Sequence, residues 1–191
     1  MLTTEVGKEV IDSLEKDNKR ASTIVETLRS IFSQKELDTN KVQLRDLILK
    51  VLEIANPSLT SKGIQTQVQI DESLFIHVNQ SDIEQVILNL LNNSIQAFER
   101  FKVIEKRISI EARAIESLVE LSFLDNASGV LPEFQTHLFE LLSTTKKEGM
   151  GLGLWLCKYI VSRHEGNIYY EDAQGGGAKF IIKLPSVVEK A

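Results

Sequence analysis

QSDIEQVILNLLNNSIQAFER, residues 80–100, is the stretch from which the fold can be read. Ile83, Val86, Ile87, Leu90, Leu91, Ile95 and Phe98 recur at steps of three and four, the spacing of one buried face of an α-helix. Ser81 and Glu84 stand in an S-x-x-E arrangement. It predicts a capping box and a helix from about Asp82 to Phe101. A second stripe of Gln85, Asn89, Asn93 and Gln96 runs beside the apolar one. Asn is unfavourable inside a helix because its side chain competes for backbone hydrogen bonds. Asn89, Asn92 and Asn93 nonetheless fall close together. A face that merely meets water is better served by Glu, Lys or Arg. The amides therefore read as functional, and an amide oxygen suits a hard, hydrated cation such as magnesium.

Downstream, VELSFLDNASGV occupies residues 119–130. Val119 to Leu124 reads as a strand, with Asp125 at its end and a turn through Asn126 and Gly129. A strand followed by an Asx-type turn is common and requires no function. The functional reading is a partly buried carboxylate that accepts a hydrogen bond from the amino group of adenine. Guanine would present an acceptor to it, a mismatch of about 1–3 kcal/mol.

The third stretch, LSTTKKEGMGLGLWLCKYIVSRHEGN, covers residues 142–167. Thr144, Thr145 and Lys146 precede Gly149, Gly151 and Gly153, and an apolar helix pattern starts at Leu154. Hydroxyls, an ammonium and the free N–H groups of a helix start make a phosphate site. No Gly-Lys-Ser or Gly-Lys-Thr closes the run, so it is not a Walker loop. Taken alone, this segment reads equally well as a tight loop capping a buried helix.

The order of the three blocks resembles the catalytic domain of bacterial sensor histidine kinases, within the wider Bergerat-fold family that includes gyrase, mismatch-repair and chaperone ATPases. The resemblance covers about residues 40–185. It implies that Asn93, the second Asn of an N-x-x-x-N motif, coordinates Mg2+. Asn89 takes the first position, where the related ATPases carry a Glu that activates water. An amide there removes the general base, as befits a kinase that conserves its ATP. By the same resemblance Asp125 reads adenine with support from Gly129. LFELLSTTK, residues 138–146, leads into a lid over ATP, and Gly149, Gly151 and Gly153 frame the phosphates ahead of Leu154. Thr144, Thr145 and Lys146 fall in that phosphate segment, Lys146 with a catalytic role beside Asn89. Lys147 and Glu148 alone separate Lys146 from Gly149. So short a lid is similar to the nitrogen-regulation type. The chain departs from the family pattern at Ala127, where a glycine is usual. It departs also at Leu141, Leu142 and Ser143, where Pro and aromatics are usual, and at Gln96, where many kinases have Lys. Because Ala does not readily take a positive φ, the turn at 125–129 is expected to differ.

Residues 6–34 carry heptad-like spacing: Ile11, Leu14, Asn18, Ala21, Val25, Leu28 and Phe32, broadened by Ile24 and Ile31. This is either one amphipathic helix lying on its own domain or one strand of a coiled coil. It resembles the second helix of the hairpin through which sensor kinases dimerise, with Asn18 setting register. The chain therefore divides into a partial dimerisation and phosphotransfer helix, 1–36, and a catalytic ATP-binding domain, 37–191. The histidines are His77, His137 and His164. His77 reads as a strand position, His137 as a surface helix residue and His164 as a helix-end residue favoured by the dipole. The acceptor His is thus expected upstream of this chain, which is then a fragment. The resemblance also implies partners: ATP, an acceptor-His helix, a response-regulator receiver domain, and a second copy in the full-length protein.

Composition sets the outer bounds. The chain has 191 residues, 42% of them hydrophobic, enough for one substantial core with an appendage. A net charge of −5 leaves no basic footprint for nucleic acid. A lone Cys157 speaks for a reducing compartment. With no apolar run long enough for a bilayer and no signal peptide, a cytoplasmic location is expected, with any membrane link through parts absent here.

Further elements are expected as a helix over Leu44–Ala55 ended by Asn56-Pro57, strands at Ile64–Ile70 and Phe75–Val78, and paired strands at Ile108–Ala114 and Leu118–Leu124. A short helix from Pro132 through Leu138, a helix over Gly151–His164, and a hairpin of Asn167–Asp172 with Ala178–Leu184 follow. Helices segregated from a mixed, mostly antiparallel sheet make an α+β, two-layer α/β sandwich, preceded by the coiled-coil-like helix. Three alternatives to the kinase remain: a hydrolysing ATPase of the same fold, a kinase directed at Ser, and a degenerate module that has lost ATP.

Overall fold

A computed structural model describes residues 37–101, 103–141, 143, 151–173 and 175–187, together with Gly7, Lys8, Val10, Ile11, Leu14, Asn18 and Ser22. The elements run β1 (Asn40–Gln43), α1 (Leu44–Ser61), β2 (Ile64–Ile70), β3 (Phe75–Val78), α2 (Gln80–Arg100), β4 (Lys106–Ile115), β5 (Leu118–Asp125), α3 (Pro132–Gln135), α4 (Gly153–Arg163), β6 (Asn167–Asp172) and β7 (Ala178–Pro185). The seven isolated N-terminal positions are helical, and Val10, Ile11 and Leu14 are exposed there. Ala21, Ile24, Val25, Leu28, Ile31 and Phe32 of the heptad stripe lie outside the described residues.

A five-stranded sheet in the order β2-β4-β5-β7-β6 carries the domain, and β1 pairs with β3 in a separate antiparallel ribbon. Only the β2–β4 pair is parallel; β4–β5, β5–β7 and β6–β7 are antiparallel. The parallel pair follows from connectivity, since the chain leaves β2, makes β3 and all of α2, and re-enters beside β2. β2, sequence IQTQVQI, lies at one edge of the sheet and buries Ile64 and Ile70. This is the mixed, mostly antiparallel two-layer arrangement expected from the sequence.

The core lies between the helices and one face of the sheet. Every apolar residue of the 80–100 stripe is buried, from Ile83 to Phe98. Each such side chain contributes about 1.5–3 kcal/mol by leaving water. Opposite lie Ile108 and Ile110 of β4, Val119, Leu121 and Phe123 of β5, and Phe180, Ile182 and Leu184 of β7. Leu47, Ile48 and Val51 of α1 and Leu156, Ile160 and Val161 of α4 complete it. Among the described residues, no helix is long and apolar enough to cross a membrane.

Three local expectations are corrected. Asn79, not Ser81, caps α2: its Oδ1 accepts the Asp82 N–H at 3.1 Å while its Nδ2 donates to the Asp38 carbonyl. Glu84 cannot close the capping box, because Lys50 Nζ and Gln80 Nε2 both bind its carboxylate at 2.7 Å. α1 does not stop at Asn56-Pro57 but runs to Ser61. Pro57 lacks an N–H for the Glu53 carbonyl, but both residues lie on the exposed side of the helix, while buried Leu59 holds the last turn on the core. The helix at Pro132 ends at Gln135, and turns carry the chain onward.

The opposite face of the sheet is held by charge. Glu120 Oε1 accepts from Arg113 Nη2 at 2.6 Å, and its Oε2 lies 3.4 Å from Lys183 Nζ and 3.4 Å from Tyr169 Oη. Burial alone would raise the Glu120 pKa, but Arg113 and Lys183 outweigh it and hold the carboxyl below its ordinary range. A depressed carboxylate pKa stabilises the fold above the unfolded value, about 4.3, and that contribution is lost as pH falls through the folded value. Glu120→Gln is therefore expected to flatten the loss of stability between about pH 5 and pH 3. Urea unfolding midpoints measured across that range check it; identical acid slopes would contradict it.

Candidate active site

Strand periodicity places Asp125. Val119, Leu121, Phe123 and Asp125 share the face of β5 that meets the helices, so the last inward position carries a carboxylate. It is 3% exposed. A buried carboxylate must be hydrogen-bonded, and this one is. Its Oδ2 accepts the Ser94 hydroxyl at 2.8 Å, and its Oδ1 accepts the Ala127 N–H at 3.0 Å and the Ala178 N–H at 3.2 Å. α2, the turn after β5 and the start of β7 thus converge on one group.

The turn itself is built without a glycine at Ala127. Among the described residues outside glycine, positive φ occurs only at Glu116 and Glu165. Ala127 is buried and donates its N–H to Asp125, while Gly129 takes the left-handed conformation at φ 71°. Ala127 thus takes its place in the turn without a positive φ. Asn126 pins the turn to the neighbouring strand. Its Oδ1 accepts the Arg107 N–H at 2.8 Å and its Nδ2 donates to the Glu105 carbonyl at 2.7 Å. Gly129 abuts Gly177: a β-carbon at Gly129 would lie 2.7 Å from the Gly177 carbonyl oxygen.

On α2, Asn89 and Asn93 are half-buried, one turn apart, with Ser94 directly following. Asn89 Nδ2 lies 3.5 Å from the Gly153 carbonyl oxygen, which links the amide helix to the start of α4. Gly151 precedes that start at φ 65°, Leu152 is buried, and Leu154 packs against the core. Leu152, at the N-cap of α4, makes no side-chain cap hydrogen bond, and the first turn carries no acidic residue. The positive dipole end of a helix favours an anion. The structure joins Asn89 of α2 to Gly153 of α4, and Ser94, the residue after Asn93, to Asp125, whose turn carries Gly129; Gly151 and Leu154 lie in the chain on either side of Gly153. Thr144, Thr145, Lys146 and Gly149 lie outside the described residues.

Residues 78–188 match the family described as histidine kinase-, DNA gyrase B- and HSP90-like ATPases. This chain belongs to that family. Among its relatives, the sensor histidine kinase TmoS of Ectopseudomonas mendocina is 28% identical over 182 residues, 94% of this chain and 19% of TmoS. The sensor histidine kinase ZraS of Salmonella typhimurium is 29% identical over 184 residues, 95% of this chain and 39% of ZraS. The chain thus spans well under half the length of these relatives. Among solved structures, full-length ShkA in complex with AMPPNP shares the fold with a TM-score of 0.75 and 24% identity, over 88% of this chain and 35% of ShkA.

Two parts of the candidate site in this family member escape a reading of its sequence stretches one at a time. Ser94 occupies a position of the buried α2 stripe, and a hydroxyl where the period demands an apolar side chain is the available signal. Gly177 ends the hairpin loop and Ala178 opens β7, where a run of three glycines exceeds what a tight turn needs. The other candidates take structural places. Cys157 is buried with its pKa pushed up to about 12, by burial against a smaller opposing hydrogen bond from Asn89. Such a thiol is no nucleophile. His164 caps the end of α4 as expected, but it is buried, with Nε2 3.2 Å from Asp82 Oδ2 at the start of α2. His77 lies on β3, and His137 is exposed beside Glu140.

Proposed function

We propose that this chain binds ATP with Mg2+ and passes the γ-phosphoryl to a histidine outside it, as the catalytic portion of a two-component sensor kinase. The observation that carries the proposal is Asp125: a buried carboxylate that collects donors from α2, from the turn after β5 and from the start of β7. Oδ1 is occupied by two N–H groups, whereas Oδ2 holds one hydroxyl and keeps acceptor capacity for the amino group of adenine. The purine then lies against Gly129, and the phosphates extend toward α4, whose first-turn N–H groups at Gly153 and Leu154 receive negative charge. By the family resemblance Thr144, Thr145, Lys146 and Gly149 complete the phosphate site, with Lys146 offsetting charge as the γ-phosphoryl moves.

The amide oxygens of α2 fit a hard divalent cation. Asn93 would hold Mg2+, which neutralises phosphate charge when bound. The reaction is in-line: an imidazole nitrogen of the acceptor forms the N–P bond as the bond from the γ-phosphorus to the β,γ-bridging oxygen breaks, and ADP leaves. Asn89 supplies no general base for water, which favours transfer over hydrolysis. Residues 1–36 serve as the second helix of a dimerising hairpin, residues 37–191 as the catalytic domain, and a receiver domain accepts the phosphoryl next. ShkA is described with AMPPNP bound and TmoS and ZraS as sensor histidine kinases, which supports this reading.

Calorimetric titration with AMPPNP and Mg2+ tests it. Saturable binding is expected, with Asn93→Ala weakening the magnesium-dependent part by about tenfold or more, the loss of one charge-assisted ligand. No binding by the wild-type chain, or steady ATP hydrolysis by it, would overturn the proposal.

A further inference from the structure

The turn that carries Gly129 is tied to the far edge of the sheet by side chains of β6 and α3. Tyr170 Oη, on β6, accepts the Val130 N–H at 3.2 Å and donates to Asp172 Oδ1 at 2.7 Å. Gln135 Nε2, at the end of α3, donates both to the Val130 carbonyl at 3.0 Å and to Asp172 Oδ1 at 3.0 Å. Both backbone polar groups of Val130 are therefore held by side chains that meet at one carboxylate oxygen. The Tyr170 ring packs edge-on against Phe180, 5.7 Å between centroids, and Phe139 packs against the same ring at 6.4 Å.

From this geometry we infer that Tyr170, Asp172 and Gln135 are positioning residues that set the adenine-side turn for nucleotide binding. The inference rests on the nucleotide reading of Asp125 and Gly129. Its physical basis is reach. Gly129 lies one residue from Val130, and a β-carbon on it would sit 3.5 Å from Tyr170 Oη and 2.7 Å from the Gly177 carbonyl oxygen. Movement of Val130 therefore moves the wall against which the purine rests. Burial and then the Asp172 hydrogen bond push the Tyr170 pKa up to about 12, so its hydroxyl keeps its proton and goes on donating throughout the physiological range.

The test is AMPPNP affinity with Mg2+ at 25 °C, alongside the thermal midpoint without nucleotide. Tyr170→Phe keeps the ring on Phe180 and deletes both hydrogen bonds; affinity is expected to fall about five- to tenfold. Asp172→Ala should do the same, whereas Asp172→Asn, which keeps an acceptor oxygen for both donors, should restore affinity to within about twofold. A purely structural role would lower the midpoint of Tyr170→Phe and leave its affinity at 25 °C unchanged, and that result overturns the inference. Asp125→Asn separates the two levels. If it abolishes binding while Tyr170→Phe binds like wild type, the positioning role alone fails. If Asp125→Asn itself binds like wild type, the nucleotide reading fails and this inference with it.

Discussion

Asp125→Asn is expected to weaken ATP binding by about a hundredfold, near 3 kcal/mol, while the chain still folds. The direction follows from which oxygen is already committed. The Ala127 and Ala178 N–H groups both point at Oδ1 and require an acceptor there. An asparagine will therefore place its carbonyl oxygen at Oδ1 and its NH2 where Oδ2 was. Ser94 can rotate its hydroxyl to accept from that NH2, so the buried site stays satisfied and the fold survives. Adenine cannot adjust in the same way, because its amino group would then face a donor. Calorimetry against ATP and Mg2+, with circular dichroism as the folding control, measures both halves. Wild-type affinity in a folded variant would remove Asp125 from the site.

Gly177→Ala is expected to destabilise the protein by about 3–5 kcal/mol. A β-carbon there would lie 1.9 Å from the Asp125 carbonyl oxygen, 2.8 Å from its carbon and 3.0 Å from Asn126 Cα. All three are backbone atoms at the end of β5, so no side chain can swing away, and the residue also has φ 102°. Gly175 provides the contrast. It has φ 90°, but nothing lies within 4 Å of a β-carbon built there. Gly175→Ala should cost only the left-handed strain, about 1–2 kcal/mol. Thermal unfolding of both variants should therefore show a drop for Gly177→Ala at least twice that for Gly175→Ala, on the order of 10 °C for the former. Equal drops would mean that conformational strain, not the approach to Asp125, governs this hairpin.

Much of the site is legible along the chain because periodicity dictates direction. A spacing of four keeps Asn89 and Asn93 on one helical stripe, and a period of two turns Asp125 inward with Phe123 and Leu121. Long, strongly periodic segments were accordingly placed to within a few residues, as with β2, β3, α2 and the β6–β7 hairpin. The misplacements fall at ends, where one hydrogen bond decides. Asn79 wins the cap of α2 because Glu84 is drawn to Lys50, thirty-four positions earlier in the chain, and α1 outlasts Pro57 because Leu59 is buried.

The one-dimensional pattern thus established which residues face the helix–sheet layer, the α+β class, and the chemistry available at three separated stretches. It could not establish who holds whom. Ser94 and Asp125 stand 31 positions apart, and Ala178 and Asp125 stand 53 apart. Their meeting depends on the register in which β5 pairs with β7, where Leu124 stands opposite Lys179. The Tyr170–Asp172–Gln135 tie to Val130 arises in the same way, from β6 being laid at the sheet edge beside the turn. Local periodicity fixes the direction in which a side chain leaves its own backbone. Its partner at the other end is chosen by strand order and register, which come from packing the whole core.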